Sequence, residues 1–229
     1  RMDYSKNPLN KVIRGSKRAE YNRDEIYSIV DSHVICHVGY NFAGTPITIP
    51  TGYGRDKDTI YLHGSLKNRM MNAILENERV SITITHLDGL VLARSVFHHS
   101  VNYRSAILFG KPILVEEPKE KMRALELITE NFIEGRWTEA RQPNRKEFES
   151  TLVIAVKVQE ASAKIRAEGA CLQYNIKQLI IIPRLRDDFI YSCFFIDILG
   201  KLLCDHTAQK KSGSVRNHTF SFLQKLITS

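Results

Sequence analysis

Ser65 and Lys67, in "YLHGSLKNR", have the types and spacing to hold a phosphate. A strand ends at His63, Gly64 lets the backbone turn, and Ser65 opens a predicted helix with Lys67 in its first turn. A hydroxyl, an ammonium group and the unpaired N–H groups of a helix start then converge on one spot. A plain helix cap beside a solvated lysine has the same sequence, and so short a pattern does not choose between them.

A second candidate is "TPITIPTGYGRD". Pro50 removes a ladder donor, which places this strand at an edge, a bulge or a point of close approach. The backbone groups of Ile49 and Thr51 would then be open to an aromatic ring system with a urea-like edge. A proline that blocks edge-to-edge aggregation is the competing account.

The third is "LVLARSVFHHSVNYRSAILFG", Leu90 to Gly110, where Arg94, His98, His99, Asn102, Tyr103 and Arg104 sit between two apolar runs. Burying so many unpartnered polar groups would cost several kcal/mol. Adjacent histidines on a strand point to opposite faces, and no acidic or cysteine partner stands at ligand spacing, so a metal site is disfavoured. The stretch reads as a break between strands that lines a polar cleft, with Arg104 turned toward an anion. A loop held by its own hydrogen bonds is the alternative. In "EGRWTEARQPN", Gly135 ends a helix, and Arg136 with Trp137 either covers a ligand rim or simply packs. No nucleophile elbow, phosphate-binding loop of the Walker type, zinc-protease helix or paired-carboxylate signature is present.

The elements that must carry these residues are mostly strands. Asn22 and Glu25 make a capping-box-like start to a short helix with Ile26, Ile29 and Val30 on its apolar face. "HVICHV", "TPITIPT", "TIYLHGS", "VSITIT", "GLVLAR", "SAILFGKPILVE" and "STLVIAVKV" read as strands, clearest where Val80, Ile82 and Ile84 alternate with Ser81, Thr83 and Thr85. Two helices interrupt them. One runs from Ser65 as N-cap with Met70, Met71, Ile74 and Leu75 inward. The other runs from Pro118 to Gly135 with Met122, Leu125, Ile128 and Phe132 inward. The pattern predicts a mainly β, α+β fold: a split antiparallel barrel of Greek-key type with a few flanking helices.

The chain has 229 residues and a net charge of +8. Residues 170–229 hold eight Lys or Arg and four Asp or Glu, so +4 falls there and +4 on the longer remainder. Neither part carries the clustered cations and interleaved aromatics of a nucleic-acid groove, so a small anion is the better use of a few placed cations. Cys36, Cys171, Cys193 and Cys204 show no metal or disulfide spacing, which fits free thiols in a reducing compartment. No signal core and no run near the roughly 18 apolar residues of a membrane span appear, and a cytoplasmic protein is expected. After Ala170 the apolar runs lose steady alternation, so residues 1–169 are expected to form the barrel domain and 170–229 a divergent extension.

Together, "CHVGY", "IPTGYGRD", "YLHGS", "DGLVLARSVFHHSVNYRSAILFGK" and "EGRWTEARQPNRKE" resemble the pyridoxamine 5′-phosphate oxidase-like, FMN-binding split-barrel family. The likeness runs from about Asn7 to Arg166 and is nearest the flavin-nucleotide-binding branch that includes nitroimidazole-resistance proteins. It implies a homodimer with FMN between the subunits and a small-molecule substrate, with neither nucleic acid nor membrane as partner. It also implies that Thr48, Ile49, Pro50 and Thr51 run beside the isoalloxazine ring. His63, Ser65 and Lys67 would lie near the phosphate, Arg104 and Ser105 at the cofactor, and Trp137 would come from the partner subunit. The carboxy-terminal Trp and Arg motif by which pyridoxamine-phosphate oxidases hold their substrate is missing, which speaks against that activity. The expected function is an FMN-dependent oxidoreductase. A flavin carrier or sensor, or a haem-handling barrel with histidine as axial ligand, are the alternatives.

Overall fold

The computed structural model describes residues 3–93 and 95–168 and the backbone of 181–182. Arg94 and the remainder of the expected extension from 170 lie outside the described residues.

Asn22 opens the first helix, α1 (Arg23–Asp31), its carboxamide oxygen accepting the N–H groups of Asp24 and Glu25. Ahead of it lies a two-residue strand, β1 (Ala19–Glu20). Alternating sequence then produces β2 (Ile35–Phe42), β3 (Thr45–Gly52), β4 (Gly54–Asp56) and β5 (Thr59–Ser65). After α2 (Arg69–Leu75) come two long strands, β6 (Val80–Val91) and β7 (Ser100–Leu114). Then follow α3 (Pro118–Phe132), α4 (Arg136–Glu139), α5 (Arg145–Glu149), β8 (Thr151–Arg166) and β9 (Ile181–Ile182).

All pairings are antiparallel, in the order β3-β2-β6-β7-β8-β5-β4, with β1 added to β8 and β9 to β6. Tyr53 alone separates β3 from β4, so one extended segment pairs with β2 in its first part and with β5 in its last. That change of partner joins the two ends of the sheet and closes a barrel. Tyr53 is buried at the junction, and its hydroxyl lies within reach of the carbonyls of Val30 and His33. The Asn131 carboxamide donates to the carbonyls of His33 and Tyr53 at 3.1 and 2.9 Å, fixing the same corner from α3.

Inward residues of the strands, among them Val38, Ile60, Leu62, Ile82, Ile84, Leu108, Ile154 and Val156, form the core with Ile26, Ile29 and Val30 of α1 and Met70, Met71 and Ile74 of α2. Each such side chain fully removed from water contributes roughly 1.5–3 kcal/mol of transfer free energy. A second, smaller cluster seats α3 on the outside of the barrel through Tyr61, Val115, Ala124, Ile128 and Val153. Among the described residues no helix is long and apolar enough to cross a membrane.

Three local expectations are corrected. Ser65 does not cap a helix: it ends β5 opposite Thr151, and Asn68 is the N-cap, accepting the Met71 N–H at 3.2 Å. Lys67 therefore lies in the turn before α2. "VSITIT" and the first three residues of "GLVLAR" belong to one strand, because β6 stays paired with β7 through a register shift between Leu87 and Gly89 and ends at Val91. The expected break between strands is shorter than read: Val96–His98 form a 3-10 turn, but Asn102, Tyr103 and Arg104 already belong to β7, which begins at Ser100.

Candidate functional site

Strand alternation divides the expected ring-lining segment. Ile49 packs against the core, and Thr51 lies opposite buried Cys36; Thr48 and Pro50 are exposed on the outer face. Among the described residues β3 pairs with β2 alone, so alternate backbone groups along it face away from the sheet, the edge being one of the places that Pro50 allowed.

Register builds that outer face row by row. Pro50, His37, Thr83 and Ile107 lie side by side across β3, β2, β6 and β7, and Thr48, Gly39, Ser81 and Phe109 form the next row. The second row floors a groove of about 350 Å³ whose walls include Asn41, Pro46 and Arg79. Gly39 gives that floor its depth, since a Cβ on it would stand 2.5 Å from the Ser81 hydroxyl oxygen and would have to displace it. His37 and Gly39 were legible in principle: "CHVGY" alternates, and a glycine inside a strand marks a close approach, whereas Ser81 and Phe109 join the face only through strand pairing.

Beyond this face, His63 is half-buried on β5, with its Nδ1 shielded from solvent and unpartnered. Burial pushes its pKa below the ordinary value, so the ring is neutral near pH 7. Ser65 and Lys67 are exposed in the following turn, where the Ser65 hydroxyl accepts the Lys67 N–H at 3.3 Å. The N–H groups of Leu66 and Asn68 are also engaged, by the carbonyls of Ser150 and Ser65. What this turn offers an anion is the Lys67 ammonium rather than a fan of open N–H groups. α2 then reaches the groove's end: Arg69 lies 5.4 Å over the Phe42 ring, and Asn77 bonds both backbone groups of Asn41.

Arg104 and Ser105 are consecutive on β7 and face opposite ways. Arg104 is turned to an anion, but that anion is Asp88 of its own chain. Ser105 donates to the Lys164 carbonyl at 3.4 Å. Trp137 is half-buried on α4, its backbone N–H held by Glu130 at 2.7 Å, after Gly135 turns with φ 80°. His98 and His99 are exposed, and the Ala93 N–H donates to His99 Nδ1 at 2.9 Å. Among the described residues no three His, Cys, Asp or Glu side chains group as a metal site.

The chain that folds into this barrel is matched by a known family. Residues 22–165 fit the family model described as pyridoxamine 5′-phosphate oxidase, more than half the chain. The chain belongs to this family. Among solved structures, the flavocytochrome Anf3 from Azotobacter vinelandii is similar at 30% identity with a TM-score of 0.72, covering 80% of this chain and 87% of its own. The FAD and heme binding protein from Mycobacterium smegmatis is 29% identical with a TM-score of 0.68, over 73% of this chain and 84% of that one. A putative 5-nitroimidazole antibiotic resistance protein from Bacteroides thetaiotaomicron shares the fold at 24% identity and a TM-score of 0.56, over 64% and 86%. Among curated proteins none matches the chain. Of the expected site residues, this pyridoxamine 5′-phosphate oxidase family barrel gathers Thr48 and Pro50 on one face, and His63, Ser65 and Lys67 at the end of β5. Arg104 and Ser105 are divided between two faces.

Proposed function

We propose that this chain binds a flavin, FMN, on the outer face of its barrel and uses it to oxidise or reduce a small molecule. The observation that carries the reading is the open β3 edge beside the groove floored by Gly39. A flat ring can lie beside that floor, along Thr48 and Pro50, while alternate backbone groups of β3 meet its polar edge. The residues fit the group in two further respects. Among the described residues the buried Nδ1 of His63 has no partner, and the exposed Lys67 ammonium beside Ser65 can meet a phosphate. Bound there, the flavin would supply the redox chemistry, while the chain orients it and sets its electrostatic surroundings. The outer face also suits a homodimer that encloses the cofactor, with Trp137 reaching across from the partner copy.

Titration of the purified full chain with FMN, FAD and riboflavin tests the reading through flavin fluorescence. A charge-assisted contact to phosphate is worth about 1.5–3 kcal/mol. Lys67→Ala should therefore weaken FMN about tenfold or more and leave riboflavin nearly unchanged. Equal loss for both ligands would put the phosphate elsewhere. Reduction of the loaded protein by NADH or NADPH separates an oxidoreductase from a carrier.

A second reading, flavin together with haem, is favoured by the names of two relatives, a flavocytochrome and an FAD and heme binding protein. In the present geometry His99 is poorly set to ligate iron. Its Nδ1 accepts an N–H, so the neutral ring carries its proton on Nε2. His98 is the exposed alternative, and a Soret band on adding hemin that His98→Ala removes would support haem.

A further inference from the structure

Arg79 is the one charged residue lining the groove on the outer face, and it is only loosely engaged. Its guanidinium lies 3.7 Å from Glu160 Oε1, beyond hydrogen-bond range, and half of the side chain is open to solvent. Glu160 does not answer with its other oxygen either, since Oε2 is buried without a partner. Among the described residues no acceptor takes a hydrogen bond from Arg79. Around it stand the half-buried Phe109 ring, Pro46 and Ile47 as apolar wall, and the Asn41 carboxamide with the Ser81 and Thr48 hydroxyls as neutral polar groups. The volume of about 350 Å³ falls within the ~300–1,000 Å³ of small-molecule sites.

We propose that this groove is the substrate subsite and that it selects a planar aromatic anion, with Arg79 as the residue that fixes its carboxylate. Arg79 forks onto a carboxylate through two parallel N–H donors, a geometry its distant Glu160 does not use. The ring of the ligand lies over the Gly39 floor against Phe109, where any larger residue at position 39 would intrude. The inference rests on the flavin reading in one respect. Thr48 belongs both to the groove and to the strand assigned to the flavin, so a ligand held by Arg79 lies next to the ring.

The test is calorimetric titration of the full chain, free of flavin and then loaded with FMN, using benzoate and its neutral counterpart benzamide as probes. Benzoate should bind about tenfold or more tightly than benzamide, and Arg79→Gln should abolish that preference without changing FMN affinity. Thr48→Trp, an exposed position where a larger ring fills the groove, should weaken both probes. Equal binding of the two probes, or a preference that survives Arg79→Gln, overturns the proposal. So does one-for-one competition between FMN and benzoate, which would make the groove the seat of the flavin itself. An Arg79-dependent preference in a chain that binds no flavin would uphold the subsite and sink the flavin reading, so the two failures are distinguishable.

Discussion

Arg104 and Asp88 are locked together across β6 and β7, Nη2 donating to Oδ1 at 2.8 Å and Nε to Oδ2 at 3.0 Å. Two parallel bonds of this kind hold the guanidinium in one plane and partly neutralise its charge within the chain. The hydrogen bond to Asp88 also pushes the Arg104 pKa up, so the cation is permanent. Asp88 itself stands at the register shift between Leu87 and Gly89, so the pair ties that irregular point of β6 to β7.

The side chains are 37% and 33% exposed, so solvent screening limits the value of the pair. A double-mutant cycle of Arg104→Gln and Asp88→Asn should give a coupling of about 0.5–1 kcal/mol by urea denaturation. FMN affinity should be nearly unchanged in Arg104→Gln. A coupling of zero with a tenfold loss of FMN would return Arg104 to the cofactor.

The pair also marks where the sequence could and could not be read. Asn22, Pro118 and the alternation of Val80 to Thr85 announced α1, α3 and β6, because caps and period-2 burial act within a few residues. Ser65 misled because Asn68, three residues later, is the better N-cap and leaves Ser65 free to end β5. The two strands read on either side of Asp88 are one, since a bulge absorbs the extra residue without breaking the ladder. Pro50 alone left Thr48 to Thr51 at an edge, a bulge or a close approach, and the pairing of β3 with β2 decides for the edge. That only Thr48 and Pro50 face outward follows from alternation once β2 fixes the register. Arg79 opposite the groove and Asp88 opposite Arg104 depend on pairings between strands, which no local pattern carries.

His63 gives the fold a dependence on pH. Its folded pKa lies below the ordinary 6.5 because burial disfavours the charged ring. In the unfolded chain the ring takes up its proton near the ordinary value, so between the two pKa values the unfolded state binds more protons. The stability this neutral histidine retains is complete above about pH 6.5 and is lost as pH falls toward the folded pKa. His63→Gln should flatten that part of the profile, measured as the urea midpoint of both proteins from about pH 7.5 down to about 5.5. Identical slopes for the two would mean that the ring charges as easily folded as unfolded.

Gly54 decides whether α3 can sit against the barrel. A Cβ there would lie 2.6 Å from Ile128 N and 2.7 Å from the Leu127 carbonyl carbon, and helix backbone cannot swing aside as a side-chain tip can. Gly54→Ala must therefore lift α3 away from β4, which strains the Asn131 bonds to His33 and Tyr53 at the closing corner of the barrel. Overpacking of this kind costs about 1–3 kcal/mol, and at this chain length each kcal/mol lowers Tm by roughly 2–4 °C. A scanning calorimetry shift of several degrees is expected, and a change under about 1 °C would show that the helix is not seated as described. α4 follows α3 through the Gly135 turn and carries Trp137, so the displacement should reach the proposed partner-side contact as well. FMN binding in Gly54→Ala should then weaken even at temperatures where the protein remains folded, whereas Gly135→Ala, where nothing stands within 4 Å of a Cβ, tests that turn separately through its positive φ.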